Sequence, residues 1–266
     1  MAYKKVLRPD SYAEHTLRRY SGAEPGDLRR YVLLTNFKDY VERFSALGEC
    51  TRHTKAWDVV HNAALDCSLI NFGIGSPLAA MTMHCLGFLD HVDAVIMLGL
   101  AGGLAESMKV GDFVLPTASI RDEGTSVHYL HGDVPALPNF KVQHVIQATA
   151  QELGIKTRSG IFKTTDYRMW EFDAEFARLL ETQRVVAIDM EISCLFSVGY
   201  ALGKPIGAVM LISDLPLLRS GIKSSGSTKE VLAEHCSRHL ELGVRSIQKL
   251  REQGVFQAGE VLPYEW

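Results

Sequence analysis

From residue 31 onward, short continuous apolar runs alternate with stretches apolar at every third or fourth place. Tyr31–Thr35, Y-V-L-L-T, reads as a strand, and Asn36 follows as an N-cap for the helical pattern F-K-D-Y-V-E-R-F-S-A-L. After a polar segment, A-L-D-C-S-L-I-N-F is a second strand, broken at Gly73 and Gly75. Pro77 suits the first turn of the helix L-A-A-M-T-M-H-C-L-G-F-L. A-V-I-M-L-G-L-A-G-G-L is a third strand, and V-G-D-F-V-L-P-T-A-S-I reads as a fourth or as a fourth and a fifth.

The tract from Gly124 to Pro138 is polar and contains prolines, a long excursion that reads as a functional loop. Helical patterning resumes with F-K-V-Q-H-V-I-Q-A-T-A-Q-E-L-G. The strand T-R-S-G-I-F-K-T-T-D, the helix E-F-D-A-E-F-A-R-L-L, the strand V-V-A-I-D-M-E and the helix I-S-C-L-F-S-V-G-Y-A-L-G follow. P-I-G-A-V-M-L-I-S-D is the last strand, and a helix from about Ser227 to Arg251 closes the pattern. Residues 1–30 are polar and charged and read as an N-terminal extension packing on the core or on a neighbouring subunit, with residues 251–266 a tail.

This alternation predicts a single α/β domain with a central mixed or mostly parallel sheet flanked by helices. In such sheets ligands bind beyond the carboxyl ends of the strands. Asn71–Gly73, Gly99–Gly103, Thr164–Asp166, Asp189–Glu191 and Ser213–Asp214 all stand at predicted strand ends, so they are expected to converge.

Composition removes several function classes. The chain has 266 residues, 47% hydrophobic and 22% charged, with a formal net charge of -3. It has neither the basic surface that nucleic acid requires nor a stretch long enough to span a membrane, and no signal-peptide pattern opens it. The five cysteines form no C-x-x-C pair and read as reduced, partly buried thiols of a cytoplasmic protein. His235 and His239 lack the H-E-x-x-H context, so neither a metal nor a cofactor is expected.

Three groups carry candidate chemistry. Gly99–Gly103 is neither a dinucleotide fingerprint nor a phosphate loop, and reads either as a tight structural turn or as one facing a ligand. Asp214 ends an apolar strand beside Ser213. It could cap the next segment or pair with an arginine, or burial could hold a proton on it for general acid work. Asp189 and Glu191 differ in turn. Asp189 suits a helix cap, whereas a glutamate projecting into a cleft suits a vicinal diol, because a carboxylate accepts two hydrogen bonds.

V-A-I-D-M-E followed by V-M-L-I-S-D-L-P resembles the paired signature of the nucleoside phosphorylase superfamily. L-L-T-N-F-K-D-Y-V-E-R-F, N-F-G-I-G-S-P, M-L-G-L-A-G-G-L-A-E-S-M-K-V-G-D-F-V-L, I-R-D-E-G, T-T-D-Y-R-M-W-E and A-E-H-C-S-R-H-L-E-L-G-V-R-S-I narrow it. Over residues 31–250 the chain resembles the catalytic domain of the bacterial AMP nucleosidases, without their additional N-terminal regulatory domain.

The resemblance implies hydrolysis of the N-glycosidic bond of AMP, without a cofactor, in a cytoplasmic homo-oligomer, by family pattern a hexamer. It implies that Glu191 binds the ribose hydroxyls with Met190 packing on the sugar, and that Asp214, beside Ser213, serves purine N7. Phe162 and Thr164 fall in the stretch lining the base, and Gly73 and Gly102 in the pocket walls. For a 5′-phosphate, Arg121, Arg168, Arg219 and Lys223 lie in predicted loops. Hexameric purine nucleoside phosphorylases hold attacking phosphate with an arginine where this chain has Met97, and place a serine where it has Leu100. That departure favours water as nucleophile. The rival readings are a phosphorylase or nucleosidase for unphosphorylated nucleosides, and a nucleotide-binding protein without turnover.

Overall fold

In the computed structural model, residues 10–218 and 225–254 are described, and Tyr31–Thr35 forms β1 at the heart of a nine-stranded sheet. It lies parallel to β4 (Cys67–Asn71) on one side and β5 (Ala94–Gly103) on the other. The antiparallel pair β2 (Cys50–Thr54) and β3 (Asp58–Asn62) extends the β4 edge. Beyond β5, the strands β9 (Ile206–Asp214), β6 (Phe113–Asp122), β7 (Thr157–Thr165) and β8 (Ala187–Asp189) return to β5 and close a ring. The sheet is therefore mixed, as the alternation predicted.

Both faces of the sheet are covered, which explains apolar runs with no polar alternation. Val32 and Leu34 join one core with Ala13 and Leu17 of α1 (Asp10–Ser21), Met83 of α3 (Ser76–Gly87) and Leu195 of α6 (Ile192–Ala201). Tyr31 and Leu33, one residue out of phase, face a second core. Its other members include Phe44 of α2 (Lys38–Ser45), Ile146 of α4 (Phe140–Glu152) and Leu240 of α7 (Ser225–Gln253). A smaller cluster joins Trp170 to Leu180 of α5 (Ala174–Gln183).

Several local expectations change. α1 lies within the stretch read as polar, and β2–β3 within the unassigned segment: each shows more polar than apolar residues, α1 burying only one face with Ala13 and Leu17 and β2 standing at the sheet edge. Asn36 does not cap α2. Phe37 occupies that position, and the Asn36 amide donates to the Gly73 carbonyl at 2.5 Å. Gly99–Gly103 is not a turn but the end of β5, where the strand leaves β1 to meet β8. A Cβ on Gly102 would approach Pro216 Cγ to 3.1 Å and Ile188 Cγ2 to 3.3 Å, so close strand packing is what glycine provides there. β6 is one strand, with a register irregularity between Pro116 and Ala118.

His239 is buried between the Tyr40 hydroxyl, 2.7 Å from Nδ1, and the Val209 carbonyl, 3.0 Å from Nε2. Burial lowers its pKa to about 4, so it is a neutral link between α7 and β9. The five cysteines carry free thiols, and among the described residues no helix is long and apolar enough to cross a membrane.

Candidate active site

β8 is only three residues long, and its last residue, Asp189, holds the following chain in place. Its Oδ2 accepts the amides of Glu191 (2.9 Å) and Ile192 (2.7 Å), and its Oδ1 accepts the Thr164 hydroxyl at 2.6 Å. It thus supplies the cap of α6 from two residues before the N-cap position, which Glu191 occupies. Burial pushes the Asp189 carboxyl up to about 6, while the three donors pull it back.

Glu191 is freed from capping by this arrangement. Its side chain, 4% exposed, turns toward the segment after β4, where Oε1 accepts the Gly75 amide at 2.7 Å. That segment is held in turn by Ser76, whose hydroxyl donates to the Met190 carbonyl at 2.8 Å. Gly75 has φ +105°, a conformation that side chains disfavour, and this turn aims its N–H at the glutamate. At the end of β9, Asp214 is 8% exposed and its Oδ1 accepts the Ser213 hydroxyl at 2.5 Å.

These carboxylates meet in one cavity of about 640 Å³ beyond the carboxyl ends of β1, β5, β7, β8 and β9. Met190, Glu191, Asp214, Gly102 and Arg168 line it, as do Asn36, Asp39, Leu100, Thr165, Tyr167, Trp170, Glu171, Asp189 and Lys229. Among the described residues the lining thus holds five carboxylates against two cations, an environment that favours positive charge on a bound group.

Other expected residues stand elsewhere. Phe162 does not line the cavity: strand alternation turns it and Thr164 inward, Phe162 into the core and Thr164 onto Asp189 and the Ser193 amide. Tyr167 and Trp170, from the loop after β7, supply the aromatic wall instead. Gly73 lies behind Ile74, which does line the cavity, and Ser213 acts on Asp214 rather than on the space.

Arg121 is not free to take a phosphate. Its guanidinium donates to the Ser126 hydroxyl and to the carbonyls of His131, Val134 and Leu130, at 2.6–2.9 Å. These bonds organise the Gly124–Pro138 tract, none of which lines the cavity. Arg219 and Lys223 lie outside the described residues. Reading the sequence missed Lys229, Glu171 and the aromatic pair. The signal was present in T-T-D-Y-R-M-W-E, where two aromatic residues flank an arginine and a glutamate follows.

The family model of the phosphorylase superfamily matches residues 30–247. The chain belongs to the phosphorylase superfamily. Among its relatives, the chain is 29% identical over 284 residues to the AMP nucleosidase of Escherichia coli K12, covering 90% of this chain and 58% of that protein. The chain therefore spans somewhat over half the length of that relative. It is 26% identical to the uridine phosphorylase of Thermococcus kodakarensis, over 80% of this chain and 82% of the other. Among solved structures, the AMP nucleosidase of Bacteroides thetaiotaomicron is 35% identical, with a TM-score of 0.79, covering 92% of this chain and 98% of that one.

Within this superfamily frame, the Met97 position is informative. Met97 is fully buried in the core around β5, and Leu100 lines the cavity. Neither can hold a phosphate dianion.

Proposed function

We propose that this chain hydrolyses the N-glycosidic bond of AMP, giving adenine and ribose 5-phosphate. The observation that carries the reading is the meeting of Glu191 and Asp214, from separate elements, in an acidic cavity that β5 lines with Leu100, Ala101 and Gly102 and not with phosphate-binding side chains. The similarity to AMP nucleosidases supports the same substrate.

As the C1′–N9 bond lengthens, negative charge grows on the purine and positive charge on the ribose. A proton carried by Asp214, oriented by Ser213, neutralises the base at N7. Glu191 accepts from the ribose hydroxyls, and its field favours the cationic sugar. Met190 packs against the ring, and water completes the bond at C1′. Each interaction strengthens as charge develops, which is the requirement for catalysis rather than binding alone. Arg168 and Lys229, the two cations of the lining among the described residues, hold the 5′-phosphate.

A cytoplasmic homo-oligomer, a hexamer by family pattern, accompanies this reading. Met169 and Phe172, 62% and 76% exposed beside Arg168 and Glu171, supply apolar surface for such a contact.

Product analysis of AMP, adenosine and inosine with and without inorganic phosphate tests the function. Adenine and ribose 5-phosphate from AMP, at a rate independent of phosphate, is the expected result. Phosphate-dependent release of ribose 1-phosphate from a nucleoside would replace hydrolysis by phosphorolysis.

A further inference from the structure

The first three amides at the start of α6 are met by side chains from the strands beneath it. Those of Glu191 and Ile192 donate to Asp189 of β8, and that of Ser193 donates to the Thr164 hydroxyl oxygen of β7 at 2.9 Å. Thr164 has one proton and two lone pairs. The proton goes to Asp189 Oδ1 at 2.6 Å, so the lone pairs take the Ser193 amide and the Ser119 hydroxyl, 2.9 Å away. The Glu191 side chain makes no bond within this cap and meets the Gly75 amide instead.

A further carboxylate reaches the same turn from farther away. Glu123 stands immediately after β6 and is buried, and it does not line the cavity. Its Oε2 accepts the amides of Thr125 at 2.8 Å and Ser126 at 2.9 Å. Its Oε1 accepts the Ser126 hydroxyl and, at 3.1 Å, the hydroxyl of Ser193, itself fully buried. β7 lies between β6 and β8, so this last bond reaches past one strand to the helix that carries Glu191.

Four donors converge on Glu123, which an acceptor-only carboxylate satisfies and a carboxamide does not. We infer that Glu123 is a positioning residue for Glu191, acting through Ser193 to fix how the first turn of α6 is rotated. Helix amides point along the axis, so their bonds to Asp189 and Thr164 set the height of the turn. The Ser193 side chain projects across the axis, so its bond to Glu123 sets the rotation. Glu191 turns with it, because its carbonyl accepts the Leu195 amide at 3.0 Å and makes it part of the helix. A carboxylate that grips a diol tolerates little misplacement: a shift of about 1 Å costs on the order of 10²-fold in rate. The same bonds give the Gly124–Pro138 tract a role although none of it lines the cavity, since Ser126 stands between Glu123 and Nε of Arg121, 2.8 Å away. This inference rests on the reading of Glu191 as the group that binds the ribose hydroxyls.

The test compares kcat/KM for AMP and 2′-deoxy-AMP in the unsubstituted protein, in Glu123→Gln and in Ser193→Ala. The second variant removes only the bond between Glu123 and α6 and places a good helix former there, so it keeps the test open if Glu123→Gln fails to fold. The expected result is a preference for AMP over the 2′-deoxy substrate that narrows by about tenfold in both variants, with the AMP-to-adenosine ratio unchanged. A merely structural role would slow all three substrates alike, and a retained AMP-to-2′-deoxy-AMP ratio in either variant overturns the assignment. A double-mutant cycle gives a second readout. In a Glu191→Gln background, Glu123→Gln should cost less than about twofold in kcat/KM, because the group it positions is already gone. The same loss in both backgrounds would also overturn it. Failure of the underlying reading looks different: an unsubstituted protein that takes 2′-deoxy-AMP as readily as AMP removes Glu191 from the ribose, and the inference with it. Should AMP not be hydrolysed, calorimetric binding of ribose 5-phosphate and 2-deoxyribose 5-phosphate to the same proteins makes the same comparison without turnover.

Discussion

The carboxylate of Asp189 accepts the backbone amide of Glu191 at 2.9 Å, so one acid of the D-M-E segment positions the other. The two differ in what their side chains face. Asp189 turns to backbone amides and the Thr164 hydroxyl, while Glu191 reaches the Gly75 amide at the cavity wall.

Asp189 should leave a mark on stability against pH. Burial raises its folded pKa from 3.8 to about 6, so the native state holds the proton more tightly than the unfolded chain. Its contribution is fully present below the unfolded value and is lost as pH rises through about 6, with a slope of at most about 1.4 kcal/mol per pH unit. Urea unfolding of the unsubstituted protein and Asp189→Asn between these values checks this. The variant should lack the slope and be less stable by roughly 1–3 kcal/mol, since its amide cannot accept all three bonds. An identical slope in both proteins would exclude Asp189 as its source.

Glu191→Gln should lower kcat/KM for AMP by about 10²- to 10⁴-fold with little change in melting temperature, because a glutamine oxygen can still accept the Gly75 amide. Gly75→Ala should act on the same contact from the other side. The nearest atom to a new Cβ is Pro77 Cδ at 3.9 Å, so space is available and the penalty is conformational. At φ +105° it is roughly 1–2 kcal/mol, with activity falling as the amide moves. Steady-state rates and thermal unfolding of both variants provide the readout.

Asp214→Asn should separate binding from turnover. The asparagine keeps the shape and can accept the Ser213 hydroxyl, but has no acidic proton for N7. Calorimetric affinity for AMP is expected within about tenfold of the unsubstituted protein while kcat falls by about 10²- to 10⁴-fold. Full activity in this variant would refute the acid assignment.

Met97→Arg should not produce a phosphorylase. The side chain is fully buried among apolar groups, and a guanidinium there has no partner. A loss of more than about 3 kcal/mol in unfolding free energy is expected, with no phosphate-dependent product.

Arg121→Ala removes the bonds that gather residues 126–134. A stability loss of roughly 2–3 kcal/mol is expected, with the AMP-to-adenosine preference retained. Loss of that preference would return Arg121 to the phosphate site.

The amino-acid order by itself determined the alternating α/β pattern, because strands covered on both faces must be apolar throughout and the helices between them carry their own period. It also singled out Glu191 and Asp214 as candidates, since acids at the ends of buried strands are costly without a purpose, and since the D-M-E and S-D segments resemble a known pair; both line the cavity. α1 and the β2–β3 pair were hidden by their polar composition. Only the tertiary structure separated Arg168 from Arg121: both precede polar loops, but one lines the cavity while the other is spent on carbonyls more than four residues away in the chain. Likewise, Phe162 and Thr165 belong to one strand, and its pleat sends them to opposite faces. Lys229 is brought to the cavity from a distant segment by packing, a juxtaposition set by contacts across the fold that no local pattern encodes.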